Sequence, residues 1–393
     1  KVPENNPMRA LQGKVAGMMV TADGNPGGKA TIRIRGVGTL NNNDPLYIID
    51  GVPTKAGMHE LNSSDIESIQ VLKDASSAAI YGSRAANGVV IVTTKEGSNT
   101  EGKPIIDLSA NVGVSSPSKY LDLLDAAGWA EVTTVSRRAA GLSPLEMAQD
   151  LASKPDNDWQ DLMFGPALMQ NYALSVKGGG KYSTYYNSVG YTNQDGVMKG
   201  TNYQRYTLQS KQDFKKGIFQ AGTNVVLTYD QSNPLYSVIR GGMVGHTLQA
   251  IPTWEQYDEN RTGGYGGLYG DVVNLTHPLG MVDDNLMKRY SDNVKIFANA
   301  YVSVELMKGL KYKLNLTPDF QFYRYNSYEG LFDFGLAKHD ITAVTEQQTR
   351  TRNILVENLL TFDRTFGDHK VSALVGYTYQ DSRYRYMQGS GQG

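Results

Sequence analysis

The sequence predicts a membrane all-β barrel, represented by about nine antiparallel strands, preceded by a small α/β domain. Three observations predict it. From about residue 105 the chain consists of long runs in which apolar and polar residues alternate, and the links between those runs are by turns long and short. The composition also leans toward glycine and tyrosine, with 42 Gly, and 25 Tyr against 10 Phe and 3 Trp. Glycine at that level exceeds the usual ~7%, and tyrosine collects at the two interfaces of membrane barrels.

Residues 1–100 read as the α/β unit. Thr31 to Arg35 alternates, with Ile32 and Ile34 on one face and Arg33 and Arg35 on the other. Leu46 to Ile49 is a short apolar strand, and Asp50-Gly51 after it is a tight-turn pair. Pro53 is then expected to stop regular pairing. Ser64-Asp65-Ile66-Glu67 has the form of a capping box and predicts a short helix. Asp74 is placed to cap a second helix through Ala75–Tyr81, with Gly82 ending it. Val89 to Thr94 is a nearly continuous β-branched run, as expected of a strand covered on both faces.

Residues 101–393 read as barrel. In Val294–Leu306 one face carries Val294, Ile296, Ala298, Ala300, Val302, Val304 and Leu306, while Lys295, Phe297, Asn299, Tyr301, Ser303 and Glu305 lie opposite. Runs of about 11–13 residues suffice for a tilted strand to cross a bilayer. Strands are expected near 105–114, 170–177, 182–192, 203–214, 218–230, 289–306, 310–323, 350–364 and 369–380. Long links near 115–169, 231–288 and 324–349 alternate with short glycine-containing turns, which puts the long loops on one side of the sheet. A soluble sandwich has no reason to sort its loops by parity. Nine is odd, and an open edge in hydrocarbon leaves backbone groups unpaired, so the expectation is a barrel cut at both ends, beginning inside a longer protein.

Charge and motifs narrow the function. With 38 basic and 39 acidic residues the net charge is −1, without a polybasic footprint for nucleic acid. No run of eighteen apolar residues encodes a membrane-spanning helix. The absence of cysteine fits the oxidising cell envelope. His59, His246, His277, His339 and His369 are scattered without metal-ligand spacing, and there is no G-x-S-x-G elbow. "YGSRAANG" around Gly82 and Gly88 lacks the phosphate-loop pattern and reads as tight turning between helix and strand. The expectation is a protein that is not an enzyme, with no cofactor and no metal.

Three blocks carry a family resemblance: "ALQGKVAGMMV" (Ala10–Val20), "IRIRGVGTLNNNDPLYIIDGVP" (Ile32–Pro53) and "DIESIQVLKDASSAAIYGSRAANGVVIVTTKEG" (Asp65–Gly97). Together they resemble the plug domain of SusC/RagA-type TonB-dependent transporters of the bacterial outer membrane. The resemblance implies a plug seated in a barrel of about twenty-two strands. It implies import of a large nutrient, a glycan or other oligosaccharide or a peptide, in Bacteroidetes-type bacteria. The implied partners are the TonB-ExbB-ExbD energy-transducing complex, a SusD-like surface lipoprotein and outer-membrane lipid. By the same resemblance Gly36, Asp50, Gly51, Tyr81, Gly82, Arg84 and Gly88 are plug signature positions that define the fold. A siderophore or cobalamin receptor, or a non-transporting surface glycan-binding β protein, are the alternatives. Solubility without detergent would mark the last.

Arg33 and Arg35 are expected to dock the plug on lumen carboxylates, with Glu305, Asp319 and Glu357 as partners in this chain. Internal pairing with Asp44 or Asp50 is the other arrangement open to them. Ligand or lid contacts are expected from the plug loop Asn41, Asn42, Asn43 and Asp44, and from aromatic residues of the long links: Trp129, Trp159, Tyr236, Trp254, Tyr265 and Tyr269. Packing within the loops, and a plain turn at Asn41–Asp44, are the alternatives.

Overall fold

The structure, a computed structural model, describes residues 6–22, 24–38, 43–54, 61–73, 82, 84–234 and 242–393. The amino-terminal unit contains β1 (Met18–Ala22) paired antiparallel with β2 (Ala30–Ile34). A four-stranded mixed sheet follows, built from β3 (Leu46–Ile49), β4 (Val52–Thr54), β5 (Ile66–Leu72) and β6 (Val89–Thr94) in the order β4-β3-β6-β5. β3 and β6 run parallel, which is why both are nearly continuous apolar runs. Their side chains form a core with Ile32, Ile34 and Leu61.

Two local expectations are corrected. Pro53 does not end the pairing: it lies inside β4, opposite Ile48. β4 is an edge strand, where a residue without an N–H costs no ladder bond. The capping box at Ser64 opens only one 3-10 turn, Ser63–Asp65, capped by Asn62, whose side chain accepts from the Ser64 N–H. β5 starts at once, because Ile66–Leu72 pairs with β6 and that ladder outweighs the weak local helix signal. The expected helix at Ala75–Tyr81, with Asp74, lies outside the described residues.

The rest of the chain forms one nine-stranded antiparallel sheet in which every strand pairs with its neighbours in sequence. Its strands are β7 (Ile105–Ser115), β8 (Ala167–Gly179), β9 (Ser183–Asp195), β10 (Asn202–Lys216), β11 (Phe219–Asn233), β12 (Met287–Met307), β13 (Leu310–Glu329), β16 (Ala343–Phe366) and β17 (His369–Gln392). The short hairpin β14 (Phe332–Phe334) and β15 (Ala337–His339) stands between β13 and β16. Short turns at 180–182, 217–218, 308–309 and 367–368 lie at one end, and the links 116–166, 196–201, 234–286 and 330–342 at the other. The loop expected at 324–349 is corrected, because β13 and β16 continue through much of it in unbroken register.

The two sheet faces are inverted relative to a soluble protein. On β10 the polar Gln209 and Lys211 are 2% and 7% exposed, whereas Leu208, next to Gln209 in the chain, and Leu227 opposite it on β11 are 42% and 39% exposed. Asn224, Thr228, Lys295 and Asn315 are buried with the first pair, while Val294, Leu316 and Phe322 are exposed with the second. A sandwich would bury the leucines at about 2 kcal/mol each. An outer face with this apolar band wants lipid. Tyr172, Tyr191, Tyr206 and Tyr229 form a row of ring contacts across β8 to β11 on that outer face, with centroids 5.0–6.4 Å apart. Phe214 and Phe219 project on the same face at the short-turn end. Ten residues of tilted strand between Phe219 and Tyr229 span roughly 25 Å of height, the thickness of the apolar band of such barrels.

The long links fold on themselves. α1 (Ala126–Ala139) and α2 (Trp159–Met163) belong to the first, α3 (Gly242–Gln249) to the third. Trp159, Met163, Met198, Trp254, Leu268 and Phe334 are among the residues of one buried cluster built from four links.

Candidate functional site

The inner, polar face of the nine-stranded sheet is where the amino-terminal unit sits, and Asp50 is the centre of that junction. Asp50 follows β3 and takes a positive φ of 48°, and Gly51 follows at φ 83°, so the chain reverses tightly into β4. The reversal presents the Asp50 carboxylate to both β6 and the sheet. Its Oδ1 accepts the Thr94 N–H at 2.8 Å, and its Oδ2 accepts the Thr94 hydroxyl at 2.6 Å and Asn224 Nδ2 at 2.7 Å. Lys211 Nζ of β10 lies 3.4 Å from Asp50 Oδ2 and 2.8 Å from Glu96 Oε1. Gln209 donates to Thr94 Oγ1 at 3.1 Å. A carboxylate this buried is sustained by charge-assisted bonds.

A second junction lies at Asp65. The Tyr186 hydroxyl of β9 donates to Asp65 Oδ1 at 2.8 Å in a buried pair. Burial pushes the Asp65 carboxyl above the ordinary range, while the Tyr186 and Ser188 hydroxyls, Lys95 and Arg205 pull it back. Further contacts spread the seat across the sheet. Gln194 Oε1 accepts from the Gly27 N–H (3.1 Å), and Arg84 Nη2 donates to Gln380 Oε1 (2.7 Å). Apolar contact is limited: Val226, Phe297 and Leu355 of the sheet close over the amino-terminal core. Beside it, Pro53, Thr54, Thr317, Asp319, Asn353 and Gln380 line a cavity of about 260 Å³ between β4 and the sheet.

The docking expectation is corrected for Arg33, which takes the alternative of internal pairing. Arg33 forms its ion pair with Asp44, inside the amino-terminal unit. Arg35 lies past the end of β2 at φ 61°, so it leaves the strand face shared with Arg33, and its N–H bonds Gly17 O at 2.9 Å. Of the expected partners, Glu305 accepts from Gly309 N, Glu357 from Asn315, and Asp319 stands 3.8 Å from Lys295. The polarity of docking is thus the reverse of that expected: carboxylates come from the small unit and the cation from the sheet.

The other signature positions serve turns. Gly36, Gly82 and Gly88 have φ of 89°, 64° and 88°. At Gly88 a Cβ would also stand 2.8 Å from Ile34 Cδ1, so both backbone and space exclude a side chain. Asn43 is buried and accepts the Gly38 N–H at 2.8 Å, closing the loop that Asp44 ties to Arg33. Asn41, Asn42, Tyr81 and Tyr236 lie outside the described residues.

Most of the loop aromatics expected at a ligand are core instead. Trp254 is fully buried and donates Nε1–H to Gly266 O (2.9 Å), and Trp159 donates to Ile251 O (2.8 Å). His277 packs edge-on against both indoles, at 4.6 and 5.2 Å between centroids. Tyr265 binds Asp283 Oδ2 at 3.0 Å, and Trp129 is half-buried against the same cluster. Links this long need buried apolar surface to offset their ordering entropy, which is why these rings turn inward. Tyr269 does stay exposed, at 52%, with the Arg261 guanidinium 4.7 Å above its ring. Sequence reasoning missed Lys211, Gln209, Asn224, Tyr186, Asp65 and Thr94. Period-two polarity marks the first three as inner-face residues, but nothing local says what they touch.

A small mixed α/β unit bonded to the polar inner face of a sheet whose outer face suits lipid defines a plug-and-barrel protein of the bacterial outer membrane. Comparison with known proteins agrees. Residues 1–89 match the TonB-dependent receptor plug domain. TonB-dependent receptor P26 of Formosa agariphila is 31% identical over 392 residues, covering 95% of this chain and 38% of that protein. TonB-dependent receptor SusC of Bacteroides thetaiotaomicron is 33% identical over 313 residues, 77% of this chain and 30% of SusC. The RagAB peptide transporter superposes over 100% of this chain and 48% of its own, with a TM-score of 0.85 at 23% identity, which speaks for the fold alone. Over nearly its whole length the chain is thus similar to TonB-dependent receptors of the SusC type, outer-membrane proteins that are not enzymes. It spans under two fifths of the length of these curated relatives.

Proposed function

We propose that the protein imports a large nutrient, an oligosaccharide or a peptide, across the outer membrane, with the plug gating the lumen. The TonB-ExbB-ExbD complex supplies the work, and a SusD-like lipoprotein caps the long-loop face. The observation that carries this reading is the character of the plug seat. The Asp50, Lys211, Asn224 and Glu96 cluster is polar and charge-assisted, so its bonds can exchange with water as the plug shifts. A seat made of greasy contacts would resist that movement. The compact loop cluster supports lid binding, because it offers a fixed platform with Tyr257 and Tyr269 exposed on it. RagAB, to which the chain is similar in fold, is named a peptide transporter, which supports peptide beside glycan as the cargo class.

The test is uptake of fluorescent oligosaccharide and peptide libraries by cells carrying the intact transporter, with and without TonB. Uptake of either class that vanishes without TonB is the expected result. Uptake of an iron chelate or a cobalamin alone would move the protein to the siderophore or cobalamin receptors.

A further inference from the structure

The outer face of the sheet carries a second built feature above its apolar band. On β13 every outward side chain from Leu310 to Phe322 is uncharged, and on β17 the outward positions 371 to 379 are Val, Ala, Val, Tyr and Tyr. The band then ends abruptly in arginines. Register fixes their side: Phe320 pairs with Arg352 and Arg352 with Arg383, while Phe322 pairs with Arg350 and Arg350 with Arg385. Arg324 stands two positions beyond Phe322 on the same face, opposite Asp292. Strand rise and tilt put these five guanidiniums roughly 30–40 Å above the short-turn end, just past a ~25 Å hydrocarbon band.

Among the described residues the charges do not cancel. Arg324 is paired with Asp292 at 2.8 and 3.3 Å, and Asp381 serves both Arg352 and Arg383. Arg350 and Arg385 are exposed, and their guanidinium groups have no hydrogen bond or ion pair among the described residues. The next outward carboxylate, Glu346, lies farther from the band and accepts from Gln348 at 2.8 Å. Lipid contact below and unpaired cations immediately above is the arrangement that recognises an amphiphile with an anionic head.

We propose that this row binds the phosphorylated headgroups of outer-leaflet lipid, with Arg350 and Arg385 holding phosphate while the acyl chains lie on the tyrosine- and valine-rich band below them. Guanidinium is suited to the role because its planar fork meets phosphate oxygens two at a time.

The experiment uses the intact transporter in phosphatidylcholine nanodiscs doped with lipid A, reading retained lipid A by native mass spectrometry. Arg350→Gln/Arg385→Gln is expected to lower retention about tenfold, since each basic group at a membrane surface contributes several-fold to binding. Arg350→Lys/Arg385→Lys, which keeps the charge, is expected to stay within about threefold of the wild type. Arg364→Gln, on β16 near the short-turn end, is expected to change nothing. Wild-type retention in the Gln pair overturns the proposal. So does equal loss in the Lys pair, which would report a folding defect, and so does full displacement of lipid A by millimolar inorganic phosphate, which would mark a site for the free anion.

Discussion

Lys211 of the barrel sheet lies between two plug carboxylates, 2.8 Å from Glu96 and 3.4 Å from Asp50, so one lumen cation clamps two segments of the plug at once. Asp50 also holds Thr94 and Asn224, so its loss breaks bonds both within the plug and to the sheet. Removing one partner of a buried pair strands the other, at about 3–5 kcal/mol in a dry site. Here Glu96 remains to hold Lys211, so Asp50→Ala is expected to cost nearer 2–3 kcal/mol of plug attachment. Raised passive permeability to large antibiotics and a lower plug unfolding temperature are the readouts. Asp50→Asn/Lys211→Met is expected to be milder than the sum of its single changes, since it leaves no unpaired charge at Asp50. Strict additivity would show that the two residues do not act together.

Tyr186 and Asp65 give a pH signature. The Asp65 carboxyl titrates above its ordinary value because it is buried, so the seated plug binds this proton more tightly than the unseated one. Between the ordinary and the raised value, seating therefore weakens as pH rises. Tyr186→Phe removes a hydroxyl that stabilises the charged form, and it is expected to widen that window and cost about 1–2 kcal/mol above it. Plug unfolding followed against pH in wild type and variant measures both. Parallel pH profiles would contradict the assignment.

His277 works in the opposite direction. It is fully buried among Trp159, Trp254, Tyr265 and Phe334. Nδ1 accepts from Gly280 N and Nε2 faces Glu255 O, so the ring is neutral. Burial lowers its pKa from 6.5 to about 4. Between those values the unfolded loop holds more protons than the folded one, so the loop core loses stability as pH falls, by roughly 3 kcal/mol over the full interval. Tryptophan emission should shift to the red from pH 6.5 downward, and His277→Gln should flatten that response. An unchanged acid shift in the variant would place its cause elsewhere.

Much of the fold was legible because the physics is local. Alternation along Val294–Leu306 or Phe219–Tyr229 records which environment each face meets, and loop parity records which end each turn occupies. The upper halves of β13 and β16 were not legible. Once Arg324, Arg350 and Arg352 rise above the lipid the outer face turns polar, both faces read alike, and the stretch resembles a loop. The plug seat was half legible. Asp50 stood out by its turn, but its partners Lys211 and Asn224 are more than 150 residues away and any inner-face cation could have met it. Arg33 misled because its satisfying carboxylate, Asp44, lay close in sequence while the lumen offered more distant ones. Among the loop tryptophans, exposure and burial differ only through three-dimensional closure of links that no single link encodes.

The most direct measurement takes advantage of the chain having no cysteine. Single cysteines at Leu208, Gln209, Lys211, Leu227, Asn224 and Ile296 of the intact protein in liposomes, with any cysteine outside these 393 residues replaced by serine, can carry a spin label. Labels at 208, 227 and 296 should be relaxed by lipid-soluble oxygen, and those at 209, 211 and 224 should be shielded from it. The opposite pattern, or water-soluble reagent reaching 208, 227 and 296 freely, would contradict a sheet that faces lipid outside and its plug inside.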